Sequence, residues 1–212
     1  MRKSAFLYII SICAHLSTFA QENYLFPDFL PGVVFYKQEE ALQCKMNYNL
    51  LKGRIFVLID NKIKDIPRLG ETEYVVIGKA RFVLLESGEF GEILLDGEDA
   101  QLAVRHFSVV KKESANAKAV SRGKLDKLIG DGQPVPEGIS IKCDSIFHLV
   151  KTKKNTRMIH LAENKSDAAD LRGFMKVYPN LKNQIQDYVN ERNPDFSKYD
   201  DVKSLFDYCE KR

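Results

Sequence analysis

The sequence predicts an α+β fold: an antiparallel β-rich domain, a meander of sandwich or barrel type, followed by a C-terminal group of about three amphipathic helices. Three observations predict it. From Val33 to about Leu161, short apolar segments rich in β-branched and aromatic residues are separated by polar or glycine-containing turns. The connections are too short to hold the crossover helices of a parallel sheet. Beyond Leu161 the apolar spacing changes to three and four, the period of a helix that buries one face.

The strands predicted in order are Val33–Tyr36, Ala41–Asn47, Arg54–Ile59, Tyr74–Ile77, Arg81–Leu85, Glu92–Leu95, Gln101–Lys111, Ile139–Cys143, Ile146–Val150 and Thr156–Leu161. Asp60-Asn61, Gly78-Lys79, Ser87-Gly88 and Asp96 to Asp99 supply turn chemistry, because Asn, Asp and Gly tolerate the backbone angles of tight reversals. Glu113 to Gly138 interrupts the pattern. Its Gly130-Asp131-Gly132-Gln133-Pro134-Val135-Pro136 stretch continues neither helix nor central strand, so a long surface loop is expected at 113–138, with one helical turn around Lys124 to Ile129. Long loops of this kind are often functional, which makes it the first place to look for a binding surface.

Three helices are expected after it. Ser166 is placed to cap the first, in which Ala168, Leu171, Phe174 and Met175 share a face until Tyr178-Pro179 ends it. Leu181, Ile185, Tyr188 and Val189 mark the second, which stops at Asn193-Pro194. Asp200 or Asp201 caps the third, carrying Val202, Leu205, Phe206 and Cys209 inward. Helices this short are marginal alone and should pack on the sheet. The organisation expected is a leader at 1–20, a β-rich domain at 21–162 and a helical segment at 163–212.

The leader is read from order as well as composition. Arg2 and Lys3 precede the apolar run Ala5 to Ala14, and Thr18-Phe19-Ala20 places small residues at the −3 and −1 positions of a peptidase site. The run falls far short of the ~20 apolar residues of a membrane span. An export signal cleaved after Ala20 is expected, leaving Gln21 first, a periplasmic or secreted product and no transmembrane segment. Lipidation at Cys13 is disfavoured by the bulky Ile12 before it.

Charge and cysteine content narrow the partners. The 32 basic residues, less Arg2 and Lys3, stand against 29 acidic ones, without the concentrated basic excess that nucleic acid binding needs. Lys151, Lys153, Lys154 and Arg157 cluster, but at an expected turn between strands, where a solvated loop explains them. Cys44, Cys143 and Cys209 each fall on an apolar face, so three buried thiols are expected, with a single disulfide of undetermined pairing left open.

No local trace of a catalytic arrangement is present. The chain lacks Gly-x-Gly-x-x-Gly, a Walker-type loop, His-Glu-x-x-His, paired Cys-x-x-Cys and Gly-x-Ser-x-Gly. His106, His148 and His160 follow the leader; His148 and His160, on strands flanking the basic turn, could form half a metal site but lack further ligands. Glu71, Glu73, Glu86, Glu89, Glu92, Asp96, Glu98 and Asp99 crowd one stretch, where solvated turn acids, a carboxylate pair of a hydrolase and weak calcium binding are all conceivable. No catalytic, cofactor-binding or metal-ligating residue is assigned, and no cofactor is expected.

Two stretches look specified: Tyr24-Leu25-Phe26-Pro27-Asp28-Phe29, read as a docked N-terminal strap, and Asn47-Tyr48-Asn49-Leu50-Leu51, read as a corner. With Phe26 to Val34 as a Phe-Pro-x-Phe-x-x-Gly-x-Val segment, Asn47 to Leu51, and Tyr188-Val189-Asn190-Glu191 near the end, the chain resembles uncharacterised exported proteins of Bacteroidota. The resemblance implies envelope location and a β-rich domain with a helical end, and carries no activity. The function expected is that of a non-catalytic envelope binding or structural module whose partner is another envelope protein or a glycan; the alternatives are a periplasmic or extracellular hydrolase using strand-borne carboxylates and a carrier of a small apolar ligand.

Overall fold

The computed structural model describes residues 23–38, 40–112, 124, 127, 139–151 and 165–212. Among the described residues ten antiparallel strands form one sheet: β1 Leu30–Tyr36, β2 Ala41–Asn49, β3 Arg54–Ile59, β4 Lys62–Asp65, β5 Thr72–Ile77, β6 Ala80–Leu84, β7 Phe90–Asp96, β8 Ala100–Lys112, β9 Ile139–Lys151 and β10 Ser166–Ala168. Their order is β10-β9-β8-β7-β6-β5-β1-β2-β3-β4. Three helices follow among the described residues, α1 Leu171–Val177, α2 Lys182–Arg192 and α3 Tyr199–Glu210. The predicted α+β class is the observed one. None of the helices is long and apolar enough to cross a membrane.

Several boundaries differ from expectation for identifiable reasons. The two predicted strands at Ile139–Cys143 and Ile146–Val150 are one, β9, because Asp144 and Ser145 continue the ladder opposite Phe107 and His106 rather than turning. Strand β4 was not expected, since all four of its residues are exposed and supply no apolar alternation. The Asp60-Asn61 turn creates it: both residues take positive φ, 53° and 56°, which closes the two-residue hairpin Ile59↔Lys62. Ser166 caps no helix. It opens β10 against Val150, and Asp170 caps α1 instead, its carboxylate accepting the Gly173 N–H at 2.8 Å. Asp200 and Asp201 lie in the first turn of α3, after Lys198, which makes no side-chain cap; there their charge complements the helix dipole. Lys124 and Lys127 are helical and exposed. The leader, the rest of the 113–138 loop and the predicted strand at Thr156–Leu161 lie outside the described residues.

Directly opposed residues in antiparallel strands project from the same face. Leu42, Val34, Val75, Phe82, Glu92, Val104 and Phe147 are successive partners across β2, β1, β5, β6, β7, β8 and β9, so they trace one continuous inner row. The sheet rolls over this face. The turn after β2 reaches strands far from it in sheet order: Phe90 N–H of β7 donates to Gly53 O at 2.7 Å and Ser108 N–H of β8 to Leu50 O at 3.1 Å. The roll encloses Val34, Met46, Tyr48, Ile55, Val57, Val75, Ile77, Phe82 and Phe90.

Where the same inner face continues onto β8 and β9, helices cover it. Leu102, Val104, Phe147 and Leu149 pack with Phe174, Ile185, Val202, Leu205, Phe206 and Cys209 in a second core. Two close approaches set the helical layer. A Cβ on Gly173 would stand 1.8 Å from the Ala168 carbonyl oxygen, so glycine lets α1 lie directly on the chain leaving β10. At the far end Glu210 clamps α3 to the β7–β8 turn. Its carboxylate accepts the N–H groups of Glu98, Asp99 and Ala100 and the Tyr178 hydroxyl, the last at 2.6 Å. Burial first, and then this bond, raise the Tyr178 pKa well above that of a free phenol.

Candidate functional site

The Asn47–Leu51 segment is a structural corner, and the strap docks on it. Asn47 Nδ2 donates to the carbonyls of Phe26 at 2.8 Å and Asp28 at 3.0 Å, while its Oδ1 accepts the N–H groups of Phe26 and Tyr48. One buried amide thereby satisfies backbone that leaves the ladder, which a buried polar group must do to avoid a net penalty. Tyr48 crosses the roll, donating its hydroxyl within reach of two acceptors, the Phe90 carbonyl at 3.1 Å and the His106 carbonyl at 2.8 Å. Burial raises its pKa strongly. Asn49 turns the chain by accepting the Lys52 N–H at 3.0 Å.

The inner row contains one acid, Glu92, and it begins a polar seam between the two cores. Glu92 Oε2 lies 3.0 Å from His106 Nε2, and His106 Nδ1 lies 3.1 Å from Ser145 Oγ. The three residues come from adjacent strands, and the Tyr48 ring stands edge-on to the imidazole at 6.3 Å. Such a chain can hold the imidazole in one orientation and pass a proton along it. Ser145 is poorly placed to act as a nucleophile. It lies mid-strand rather than on an exposed elbow, and its own N–H is given to Asp144 Oδ1 at 2.8 Å, so it is not free to receive an oxyanion.

Among the described residues, the others singled out in the sequence are not gathered into a site. Glu89 pairs with Arg105 at 2.8 Å, Glu71 with Arg68 at 3.5 Å, and Asp96 with Arg81 and with Gln101, so these acids and Glu92 each meet a different partner. Glu73 is half-buried on β5, Glu86 is exposed, and Glu98 and Asp99 form the turn clamped by Glu210. Among the described residues no group of three or more His, Cys, Asp or Glu side chains is placed to hold a metal ion. His148 lies on the outer face with both ring nitrogens shielded and without hydrogen-bond partners among the described residues. Its pKa is lowered, chiefly by burial and then by the nearby Arg105 charge. His160, Lys153, Lys154 and Arg157 lie outside the described residues, and Lys151 Nζ donates to the Lys176 carbonyl at 3.3 Å.

The expectation of three buried thiols is corrected. Cys209 is buried, its pKa pushed up to about 12 by burial, and Cys44 is half-buried, but Cys143 is exposed. All three are free. Cys143 stands opposite Ser108, beyond the last β7–β8 pair at Glu92 and Val104.

A cleft of about 780 Å³ opens in the helical layer, away from the seam. Leu171 and Met175 of α1 and Phe196 from the α2–α3 connection form its apolar floor, and Arg172, Lys176 and Lys182 stand around it. Lys176 is held by Asp167 at 2.5 Å, and the Asp170 carboxylate is occupied by its cap. No periodicity marked this place, because it is assembled from three segments that sequence reading assigned to separate helices and a break. Comparison with known proteins finds no family model, no curated relative and no solved structure that matches the chain.

Proposed function

We propose that the chain is an exported envelope protein that acts as a non-catalytic binding module, engaging another envelope protein or a glycan component through its helical layer. The cleft floored by Leu171, Met175 and Phe196 carries this reading, because its volume and apolar lining suit ligand burial while its charged rim supplies specificity. The leader, with Arg2-Lys3, the apolar run and Thr18-Phe19-Ala20 in order, supports the export component. Two measurements test it. N-terminal sequencing of native material should find Gln21 first in an envelope or secreted fraction; intact Met1 on a cytosolic species overturns export. Pull-down from envelope extracts should recover a partner with the native chain and lose it with Met175→Glu; equal recovery by both removes the cleft from the reading.

A hydrolase using strand-borne carboxylates is the second reading, and the Glu92–His106–Ser145 chain is the observation that favours it. It requires hydrolysis in a broad ester and glycoside panel that disappears in Glu92→Gln or His106→Ala. The carrier reading has less support, since Met46, Tyr48, Phe82 and Phe90 fill the roll where an apolar ligand would have to sit.

A further inference from the structure

The geometry points to an acidic peptide segment with an apolar anchor residue, supplied by a partner protein, as the occupant of the helical-layer cleft. The inference rests on the binding-module reading and names the ligand class. Its first element is the floor. Leu171 and Met175 are half-buried and Phe196 is packed on Phe174 at 6.5 Å, so the base is rigid at the aromatic and adaptable at the thioether. Such a base accepts a Leu, Met or Phe side chain. Among the described lining residues there is no side-chain amide and the carboxylate of Asp170 is taken up by its cap, so the groups that would hold sugar hydroxyls are few.

Its second element is uncompensated charge. Of the two charged side chains on α1 that border the cleft, Lys176 is tied to Asp167, whereas Arg172 makes no ion pair or hydrogen bond among the described residues. Lys182, at the start of α2, also lines the cleft and is likewise without an anionic partner among the described residues. Among the described lining residues the one acid, Asp170, is turned to the Gly173 N–H. The rim is therefore positive where it is free, and complementarity calls for carboxylates on either side of an apolar anchor. Arg172 can grip a carboxylate with two parallel N–H bonds, and Lys182 can meet the other as a point charge. The open cleft lets an extended segment cross it.

Fluorescence anisotropy on the full chain tests this with three probes: a labelled Glu-Asp-Leu-Phe-Glu-Asp peptide, its Lys-Lys-Leu-Phe-Lys-Lys counterpart, and a labelled oligogalacturonate. The acidic peptide should bind, weaken with added salt, and lose at least tenfold in affinity in the Arg172→Glu/Lys182→Glu variant, whose circular dichroism should match the native chain because both side chains are exposed. The basic peptide should bind at least tenfold more weakly to the native chain and gain in the variant. Binding of neither peptide, equal binding of both, or binding of the oligogalacturonate alone overturns the inference. In those cases the Met175→Glu pull-down separates the two failures: a partner still lost with that variant keeps the binding module and discards only the acidic ligand.

Discussion

Asn47 meets four backbone groups with one amide, and its value follows from what each would do without it. Replacement by alanine leaves the Phe26 and Asp28 carbonyls and the Phe26 N–H facing a side chain that cannot pair with them. Asn47→Ala should lower stability by about 2 to 3 kcal/mol in urea denaturation and make the peptide bonds of residues 23–29 accessible to limited proteolysis. An unchanged midpoint and cleavage pattern would show that the strap is held by its aromatic packing, such as Phe26 on Phe82, and not by the corner. His148 makes a second residue-scale prediction. Its native pKa lies below the 6.5 of the free side chain, so the folded state refuses a proton that the unfolded state accepts. The stability associated with the neutral ring is therefore complete above pH 6.5 and declines as pH falls below it. The groups that bear on it are Arg105, which lowers the pKa, and Glu89, which raises it. Denaturation at pH 7.5 and 5.5 should show a loss in the native chain that is smaller in His148→Leu; identical losses would mean that other groups set the acid response.

At the scale of elements, the helices depend on docking more than on their own propensity. Helix α1 has seven residues and α2 eleven, short of the length at which isolated helices persist in water. Their anchors are the cap at Asp170, the close approach at Gly173, and the Glu210 clamp that joins the end of α3 to the β7–β8 turn. The clamp is charge-assisted and gathers three backbone donors and a buried phenol, so Glu210→Ala should cost about 2 to 3 kcal/mol. Hydrogen exchange should show the loss first in α3 and in residues 97–100. Glu210→Gln, which keeps the acceptor oxygen without the charge, should restore part of it. If neither substitution changes protection at the β7–β8 turn, apolar burial of Val202, Leu205 and Phe206 suffices to hold α3.

The whole molecule places two cores on one face of a single sheet, so neither half can open without exposing the row that runs from Leu42 to Phe147. Strand β7 contributes to both cores, through Phe90 on one side and Leu94 and Leu95 on the other, and with β8 it carries the Glu92–His106 contact between them. Thermal unfolding should accordingly be one cooperative transition, with far-ultraviolet dichroism and tyrosine fluorescence coincident; the nine tyrosines and the absence of tryptophan make the latter an unmixed signal. Two separated transitions would show that the helical layer melts independently of the roll.

Much of this architecture was already present as pattern. Period-two alternation and turn residues located most strands, with Arg54–Ile59 matching to the residue, and the shift to spacings of three and four located the helices. The strap and the Asn47–Leu51 corner also stood out, because aromatics in a tail and paired amides after a strand are local oddities that need a local explanation. What period cannot carry is partnership. Strand β4 buries nothing, β10 is three residues long, and Asp144-Ser145 separates two apolar segments in sequence although the ladder runs through it opposite Phe107 and His106. Glu92, His106 and Ser145 lie far apart in the chain, and their contact exists only because the register of β7, β8 and β9 puts them side by side. The cleft is more remote still from sequence, being the space left between α1, α2 and the α2–α3 connection after each has buried its apolar face. Local sequence determined where the backbone alternates, turns and coils, since those choices depend on neighbours a few residues away. Only the tertiary structure decided which polar groups meet and which cations are left facing a cavity, because those outcomes depend on which faces the rolled sheet and its helices cover.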